Sequence, residues 1–120
     1  MFVNISNHPS SKWGEKQLEA ARDLAEGGGI VDIPFPNVPA DAGTEEVQLL
    51  CEELQRKVSA LGNARPLTVH IMGETSLVVS LSRILEGEKI PQVVSTTERS
   101  VVEKDGVKTS VFSFKRFRKV

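Results

Sequence analysis

The segment 67–76, LTVHIMGETS, decides the fold. Its first half is an apolar, β-branched run that predicts a strand at residues 67–72, and Gly73 predicts a tight turn directly after it. Thr75 or Ser76 can then cap a helix. The buried face of that helix is expected to consist of Leu77, Val78, Leu81, Ile84 and Leu85. A strand that turns directly into a helix is the repeating unit of an α/β protein.

The same strand–helix unit is predicted twice earlier in the chain. Residues 2–6 form a short apolar strand, and a helix from about Ser11 to Glu26 follows and stops at three glycines. Residues 30–33 predict a second strand, which ends at the prolines behind it. Thr44 is a good N-cap for a second helix. Its apolar stripe has helical spacing and contains Val47, Leu50, Cys51, Leu54, Val58 and Leu61. Because Cys51 lies in this stripe, we interpret it as a buried hydrophobe.

The end of the chain departs from this alternation. Residues 92–95 predict a fourth strand, and Asp105-Gly106 between two β-rich runs predicts a hairpin with a type I′ turn. Phe112 and Phe114 share one face of the last strand, whereas Phe117 falls on the other face. We therefore expect either a β-bulge or a strand with two apolar faces.

These elements predict an α/β fold. Residues 1–120 are expected to form a single Rossmann-like domain, with a mostly parallel sheet flanked by three helices and a C-terminal antiparallel β-hairpin. The length of 120 residues suits one hydrophobic core.

Charge and composition exclude several classes of function. The 15 Lys and Arg and 16 Asp and Glu give a net charge of −1, so no bulk positive charge attracts duplex nucleic acid or an anionic membrane. No apolar run approaches the roughly 18 residues that a membrane span needs. The N-terminus also lacks the pattern of a signal peptide, which predicts a cytoplasmic protein. One cysteine and two separated histidines do not make a zinc site, and we expect neither a metal nor a cofactor.

The turn after the first strand is the first candidate site, because ligands of open parallel sheets bind outside the carboxyl ends of the strands. It concentrates hydrogen-bonding and aromatic side chains: Asn7, His8, Ser10, Ser11, Lys12 and Trp13. Trp13 can stack on a nucleobase, and Lys12 can balance phosphate charge. In the alternative interpretation, Ser10 or Ser11 caps the first helix and Trp13 packs its first turn against the core.

The turn after the third strand is the second candidate. Gly73 lets a ligand approach the backbone, and the helix start with Thr75 and Ser76 can hold a phosphate. Glu74 repels a phosphate, so it can instead accept from a ribose hydroxyl or act as a base. In the alternative interpretation, Gly73 eases a tight turn and Glu74 interacts with the helix dipole.

Residues 95–99, STTER, are predicted as a loop after the fourth strand and form the third candidate. Ser95, Thr96 and Thr97 beside Arg99 suit phosphate or ribose recognition. The alternative is a polar turn with a weak surface ion pair. His70 lies within a strand, and we interpret it as a packed or interfacial histidine rather than a catalyst.

Several segments together resemble a small family of CRISPR-associated proteins of type III systems. They are residues 6–13 (SNHPSSKW), 34–36 (PFP), 70–74 (HIMGE) and 95–99 (STTER). The chain also resembles, more loosely, the CRISPR-associated Rossmann fold (CARF) domains, which bind cyclic oligoadenylates. The resemblance covers nearly the whole chain, and its His-Pro-Ser-Ser-x-Trp and Ser-Thr-Thr-Glu-Arg strings are distinctive.

This resemblance implies a homodimer that binds a cyclic oligoadenylate, with tetra-adenylate favoured, across its two-fold axis. Some stand-alone relatives are ring nucleases, in which a ribose 2′-hydroxyl attacks the adjacent phosphodiester without a metal. For that reaction Lys12 and Arg99 are candidates to stabilise charge, and His8 is a candidate to transfer a proton.

The remaining candidate residues would bind the ligand. Ser10, Ser11, Thr75 and Ser76 would hold phosphate or ribose oxygens, and Trp13 or Phe35 would stack on adenine. The predicted ligand contacts also include Asn7, Gly73, Glu74, Ser95, Thr96 and Thr97. Glu74 departs from the glycine or lysine that is more usual in CARF domains, which leaves its contact with the ligand open.

Three alternatives remain at this point. The chain can be a sensor that binds the cyclic nucleotide without cleaving it. It can be another nucleotide-processing enzyme, such as an N-glycosidase with Glu74 as nucleophile or base. It can also be a structural protein whose polar loops are only surface.

Overall fold

The computed structural model describes residues 1–62 and 66–120 as a mixed α/β structure. Five strands and three α-helices alternate along the chain until the last two strands form a hairpin. The elements are β1 Phe2–Ser6, a 3-10 helix Ser10–Lys12, α1 Glu15–Ala25, β2 Ile30–Pro34, α2 Thr44–Ser59, β3 Thr68–Ile71, α3 Thr75–Gly87, β4 Gln92–Lys104 and β5 Val107–Lys119.

The strands form one sheet with the order β2-β1-β3-β4-β5. The pairs β1–β2, β1–β3 and β3–β4 are parallel, whereas β4 and β5 are antiparallel. The prediction of a mostly parallel sheet with three helices and a C-terminal antiparallel hairpin is therefore confirmed. The chain passes from β1 to β2 on one side and then crosses to β3 on the other, so the strand order reverses at β1.

Each face of the sheet carries its own hydrophobic cluster. On one face, β1 and β3 pack against α2 and α3, and Cys51 is fully buried there as the sequence predicts. On the other face α1 packs over Phe2, Trp13 and Val93, with Phe117 at the margin. Because β1 is covered on both faces, all five of its residues are buried, including Asn4.

The hairpin extends beyond the rest of the sheet. β3 pairs with β4 through Val69↔Gln92 and His70↔Val93, whereas β4 and β5 pair along twelve residue positions each. We call residues 97–114 the hairpin arm. Asp105 and Gly106 at its tip have φ of 52° and 76°, as a type I′ turn requires.

A β-bulge, one of the two arrangements that the phenylalanine spacing predicts, lies at the base of the arm. Thr96 pairs with Arg116 and Thr97 pairs with Phe114, so Lys115 is the extra residue. The extra residue returns Phe114 and Phe117 to the same face, where their ring centroids are 4.9 Å apart.

The structure corrects several boundaries. Residues 95–99 are part of β4 and not a loop, because β5 pairs with all of them. α1 begins at Glu15 rather than near Ser11, since a separate 3-10 turn precedes it. Gly43 rather than Thr44 is the N-cap of α2, and Glu74 rather than Thr75 or Ser76 caps α3.

In the described part of the chain, no helix has the length and apolar character needed to cross a membrane.

Candidate functional site

A cleft of about 740 Å³ lies at the carboxyl ends of β1 and β3, beside the reversal of strand order. One wall is the turn after β1 and the first turn of α1, and the opposite wall is the hairpin arm. The lining residues are Ser6, Asn7, His8, Lys12, Trp13, Gly14, Glu15, Lys16, Gln17, His70, Met72, Gly73, Ser95, Thr97, Phe112 and Phe114.

This cleft brings about half of the predicted site residues together. Those that line it are Asn7, His8, Lys12, Trp13, Gly73, Ser95 and Thr97. Those that lie outside its lining are Ser10, Ser11, Phe35, Glu74, Thr75, Ser76, Thr96 and Arg99. The turn after β1 therefore contributes most of the predicted residues, and the turn after β3 contributes only Gly73.

A row of three polar residues crosses the sheet next to the cleft. Asn4 of β1 pairs in register with Asp32 of β2 on one side and with His70 of β3 on the other. Asn4 Nδ2 donates to Asp32 Oδ1 at 2.8 Å and to the backbone oxygen of His8 at 2.9 Å. Asn4 Oδ1 lies 2.8 Å from Ser6 Oγ and 2.8 Å from His70 Nδ1.

These contacts determine the tautomer of His70. The carboxylate of Asp32 and the backbone oxygen of His8 only accept hydrogen bonds, so the amide nitrogen of Asn4 must face them. Asn4 Oδ1 then faces His70 Nδ1, which must carry the hydrogen and donate it. The other ring nitrogen, Nε2, is consequently the one with a free lone pair.

His70 is neutral in this environment. Its side chain is 2% exposed, and burial lowers the pKa of His70 from its ordinary value of 6.5 to about 4. Its ring is stacked on Phe2 and meets Trp13 and Phe117 edge-on. The sequence-based interpretation of His70 as a packed histidine is confirmed, but its position on the cleft wall was not predicted.

The chain matches the model of one protein family over nearly its whole length. The model described as "Uncharacterized protein MJ1673 family" matches residues 1–118. The chain belongs to the MJ1673 family. No curated protein and no solved structure matches it. Membership of the MJ1673 family by itself assigns no chemistry to the cleft.

Asp32 anchors the turn that carries His8 and Lys12. Its carboxylate accepts from the backbone and the side chain of Ser10 at 3.0 and 2.7 Å, and from Asn4. Partial burial opposes ionisation, but these hydrogen bonds outweigh it and hold the pKa of Asp32 below its usual value. Ser10 is therefore engaged in fixing the turn, a role that the sequence did not predict for either residue.

Trp13 is 8% exposed and packs in the cluster of the α1 face. Its ring centroid is 6.1 Å from that of Phe2, 5.7 Å from that of His70 and 5.9 Å from that of Phe117. The structure therefore gives Trp13 the packing role that was the alternative interpretation, although the residue also lines the cleft. Its indole Nε1 has no hydrogen-bond partner among the residues that the structure describes.

Gly73 and Phe35, two predicted ligand contacts, pack against each other. A Cβ at Gly73 would lie 2.5 Å from Cζ of Phe35, so the ring of Phe35 requires a glycine there. Phe35 itself is 6% exposed and belongs to the cluster under α2 and α3. Its ring is a core element, and the need for glycine at position 73 arises from packing.

Glu74 is the N-cap of α3. Its carboxylate accepts from the backbone N–H groups of Ser76 and Leu77 at 3.0 and 2.9 Å and from the hydroxyl of Ser76. Hydrogen bonds, first of all from the Ser76 side chain, lower the pKa of Glu74. The helix-dipole interpretation of Glu74 thus describes its contacts, and Ser76 is engaged in the same cap.

The hairpin arm presents a mixed aromatic and polar face to the cleft. Cross-strand pairs share a face of the ribbon, so Thr97 and Phe114 lie together, and Arg99 and Phe112 follow them outward. Arg99 donates from Nε to Ser110 Oγ at 3.2 Å, beyond the cleft lining. Thr96 is on the opposite face, where its hydroxyl donates to the backbone oxygen of Arg116.

The charge at the cleft comes mainly from the start of α1 and the turn before it. Lys12 and Lys16 line the cleft with His8, and Glu15 is an acidic lining residue near them. The ammonium of Lys16 and the ring of Phe112 were not among the predicted site residues. Lys16 reaches the cleft from the first turn of α1, and the approach of Phe112 depends on the length of the hairpin arm.

Proposed function

We propose that this chain binds a cyclic oligoadenylate in the cleft and cleaves it without a metal, as a ring nuclease of type III CRISPR signalling in the cytoplasm. The observation that carries the proposal is the composition of the cleft. It combines the aromatic rings of Phe112 and Phe114 with the ammonium groups of Lys12 and Lys16 and with hydroxyl groups. Aromatic rings stack on bases, and ammonium groups bind phosphates.

In this proposal the ribose 2′-hydroxyl attacks the neighbouring phosphorus. The P–O5′ bond breaks, the 5′-oxygen leaves with a proton, and the fragment ends in a 2′,3′-cyclic phosphate. Lys12 stabilises the charge that develops on the phosphate oxygens, and His8 accepts or returns a proton. The protein's main contribution is to hold the hydroxyl in line with the phosphorus.

Some of the residues that we propose for each role differ from those that the resemblance implies. Phe112 is 66% exposed, so it and Phe114 replace Phe35 and Trp13 as the proposed stacking surfaces. Ser95 and Thr97 retain the proposed contacts with ribose or phosphate oxygens. Arg99 pairs directly with Phe112 on the same face of the arm, where it would bind an outer phosphate of the ring.

A Rossmann-like, CARF-related homodimer is part of the same proposal. The reversal of strand order at β1 supports a Rossmann-like relation, since ligands of such sheets bind at that point. A ring of identical nucleotides matches a two-fold axis with the same cleft in each subunit. Of nine large hydrophobic side chains exposed among the described residues, five lie on the hairpin arm, which supports burial of the arm by a second copy.

A non-catalytic sensor is the second candidate function, because the same cleft composition serves binding alone. The Glu74-dependent enzyme has less support, since Glu74 lies outside the cleft and its carboxylate is engaged in the helix cap.

The experiment that tests the proposal compares two lysine variants in binding and single-turnover cleavage of cyclic tetra-adenylate. Lys12→Ala is expected to slow cleavage on the order of 100-fold, as for loss of one oxyanion-stabilising group. Lys57→Ala is the matched control, because Lys57 lies on α2 and pairs with Glu53. Binding without cleavage by the unmodified chain establishes the sensor, and cleavage unaffected by Lys12→Ala removes Lys12 from the site.

A further inference from the structure

Three valines of the hairpin arm are exposed. Val102, Val107 and Val111 are 52%, 64% and 45% exposed. A two-stranded ribbon that extends beyond its sheet has no core of its own and is marginally stable in water. Apolar side chains grouped on such a ribbon therefore indicate a surface that another molecule covers.

The three valines share the face of the arm that is opposite to the cleft. Gln92 donates from its side chain to the backbone oxygen of Ser82 on α3, so the even-numbered positions of β4 point to the α3 side of the sheet. Val102 follows this alternation, and the cross-strand register brings Val107 and Val111 to the same side. We call this surface the valine face; it consists of residues 98, 100, 102 and 104 of β4 and residues 107, 109, 111 and 113 of β5.

Charged side chains border the valines in a definite order. Arg116 extends the valine face toward the base of the arm, because it pairs with Thr96 of β4. From the base to the tip, the residues that carry the pattern are Arg116, Glu98, Val111, Val102, Lys104 and, in the turn, Asp105. The order is thus positive, negative, apolar, apolar, positive, negative.

This order is complementary to itself when it is reversed, since every charge then meets its opposite. Two copies that stack their valine faces with antiparallel arms place Lys104 of one copy over Glu98 of the second copy. The valines of both copies meet between these charges, and the two-fold axis makes each contact occur twice. Parallel stacking would instead place Lys104 over Val107, and the charges would have no partners.

We propose that the valine face is the contact through which two copies of this chain associate, with their arms antiparallel. A second copy is the occupant because the charge order fits itself. The contact requires no ligand and leaves the cleft side of each arm open, so it goes beyond the proposed function. A two-stranded face is small beside the about 1,200–2,000 Å² of standard interfaces, so we expect dissociation in the micromolar range.

Sedimentation velocity of the chain without nucleotide, across the micromolar range, measures the association. Val102→Asp places a carboxylate in the middle of the contact and is expected to raise the dissociation constant roughly tenfold or more. Val101→Asp is the matched control, because Val101 is 57% exposed on the opposite face of the same arm. A chain that is monomeric at every concentration overturns the proposal, and so does equal loss of the dimer in both aspartate variants.

A charge exchange tests the antiparallel arrangement. Glu98→Lys and Lys104→Glu each place like charges opposite one another and are expected to weaken the dimer roughly tenfold, whereas the double variant is expected to recover it. Glu98 also contacts Lys115 of its own chain at 3.1 Å. That exposed pair is lost in the double variant too, so its loss does not account for a recovery. A double variant as weak as the single variants overturns the arrangement.

The same measurements separate this proposal from the proposed function, because no nucleotide is present. A chain that dimerises through the valine face and cleaves no cyclic oligoadenylate supports the contact and contradicts the ring nuclease alone. A chain that cleaves cyclic tetra-adenylate and stays monomeric overturns the contact alone.

Discussion

Asn4 Oδ1 lies 2.8 Å from His70 Nδ1, and this contact joins two neighbouring strands in the middle of the sheet. It orients the imidazole at the cleft wall, and burial keeps that imidazole neutral by lowering the pKa of His70 to about 4. The amide of Asn4 also contacts Asp32 and the turn that carries His8. One amide side chain thus connects β1, β2 and β3 with the turn at the cleft.

Stability is expected to fall as the pH falls through the range between 6.5 and about 4. The unfolded state binds a proton to His70 at its ordinary pKa of 6.5, whereas the folded state does so only near a pKa of about 4. The contribution of His70 to the free energy of unfolding is therefore complete above pH 6.5. Below pH 6.5 the free energy of unfolding declines, by about 3 kcal/mol in total. Urea unfolding from pH 7 to pH 4.5 measures the decline.

Two histidine variants identify the group responsible. His70→Gln is expected to flatten the pH dependence in this range, and the control His8→Gln is expected to retain it, because His8 is exposed at the turn. A steep pH dependence that survives in His70→Gln contradicts the account of His70.

Gly73→Ala is expected to destabilise the chain by about 1–3 kcal/mol, because the new Cβ overlaps the ring of Phe35. Gly87→Ala at the other end of α3 is the control, since nothing lies within 4 Å of a Cβ there. Phe35→Leu in the Gly73→Ala background is expected to recover part of the loss. Thermal unfolding of these proteins and of Phe35→Leu alone measures this, and an additive double variant would show that the two residues do not interact.

Deletion of Lys115 is expected to disrupt packing at the base of the hairpin arm. Without the extra residue, Phe114 and Phe117 can no longer both face the α1 side of the sheet. Trp13 is the only tryptophan of the chain and packs against Phe117, so its fluorescence reports the change. Lys115→Ala keeps the bulge and loses only an exposed ion pair with Glu98, so native fluorescence is expected. Identical spectra for the deletion and the substitution would be inconsistent with the bulge.

Glu74→Gln is expected to lower the melting temperature and to leave turnover unchanged. The carboxylate caps α3 through two backbone N–H groups and the hydroxyl of Ser76, and it lies outside the cleft. Because hydrogen bonds depress the pKa of Glu74, its stabilising effect is lost as the pH falls through that pKa. Abolished turnover with an unchanged melting temperature would favour the enzyme in which Glu74 is the nucleophile or base.

The sequence predicts those parts of the structure in which local pattern and turn chemistry agree. The apolar spacing was sufficient to predict α2 and α3. The Asp105-Gly106 pair was sufficient to predict the hairpin turn. The uneven spacing of Phe114 and Phe117 left either a bulge or a strand with two apolar faces, and the structure has the bulge. The start of α1 was misplaced because a separate 3-10 turn precedes Gly14.

The candidate site was predicted only in part, because its residues meet through tertiary structure. Residues 95–99 were predicted as a loop because they are polar, yet each of them pairs with a residue of β5. The row of Asp32, Asn4 and His70 exists only through the register of three strands. Phe35 was predicted to stack on adenine, because nothing in the sequence indicates that its ring packs against Gly73.

The most direct test of the proposed function is a mass-spectrometric product assay. The purified chain is incubated in EDTA with cyclic tri-, tetra- and hexa-adenylate. We expect linear fragments that end in a 2′,3′-cyclic phosphate, with cyclic tetra-adenylate as the favoured substrate. Intact rings in all three incubations, without thermal stabilisation of the chain by any of them, would contradict the proposal that the cleft binds and cleaves cyclic oligoadenylates.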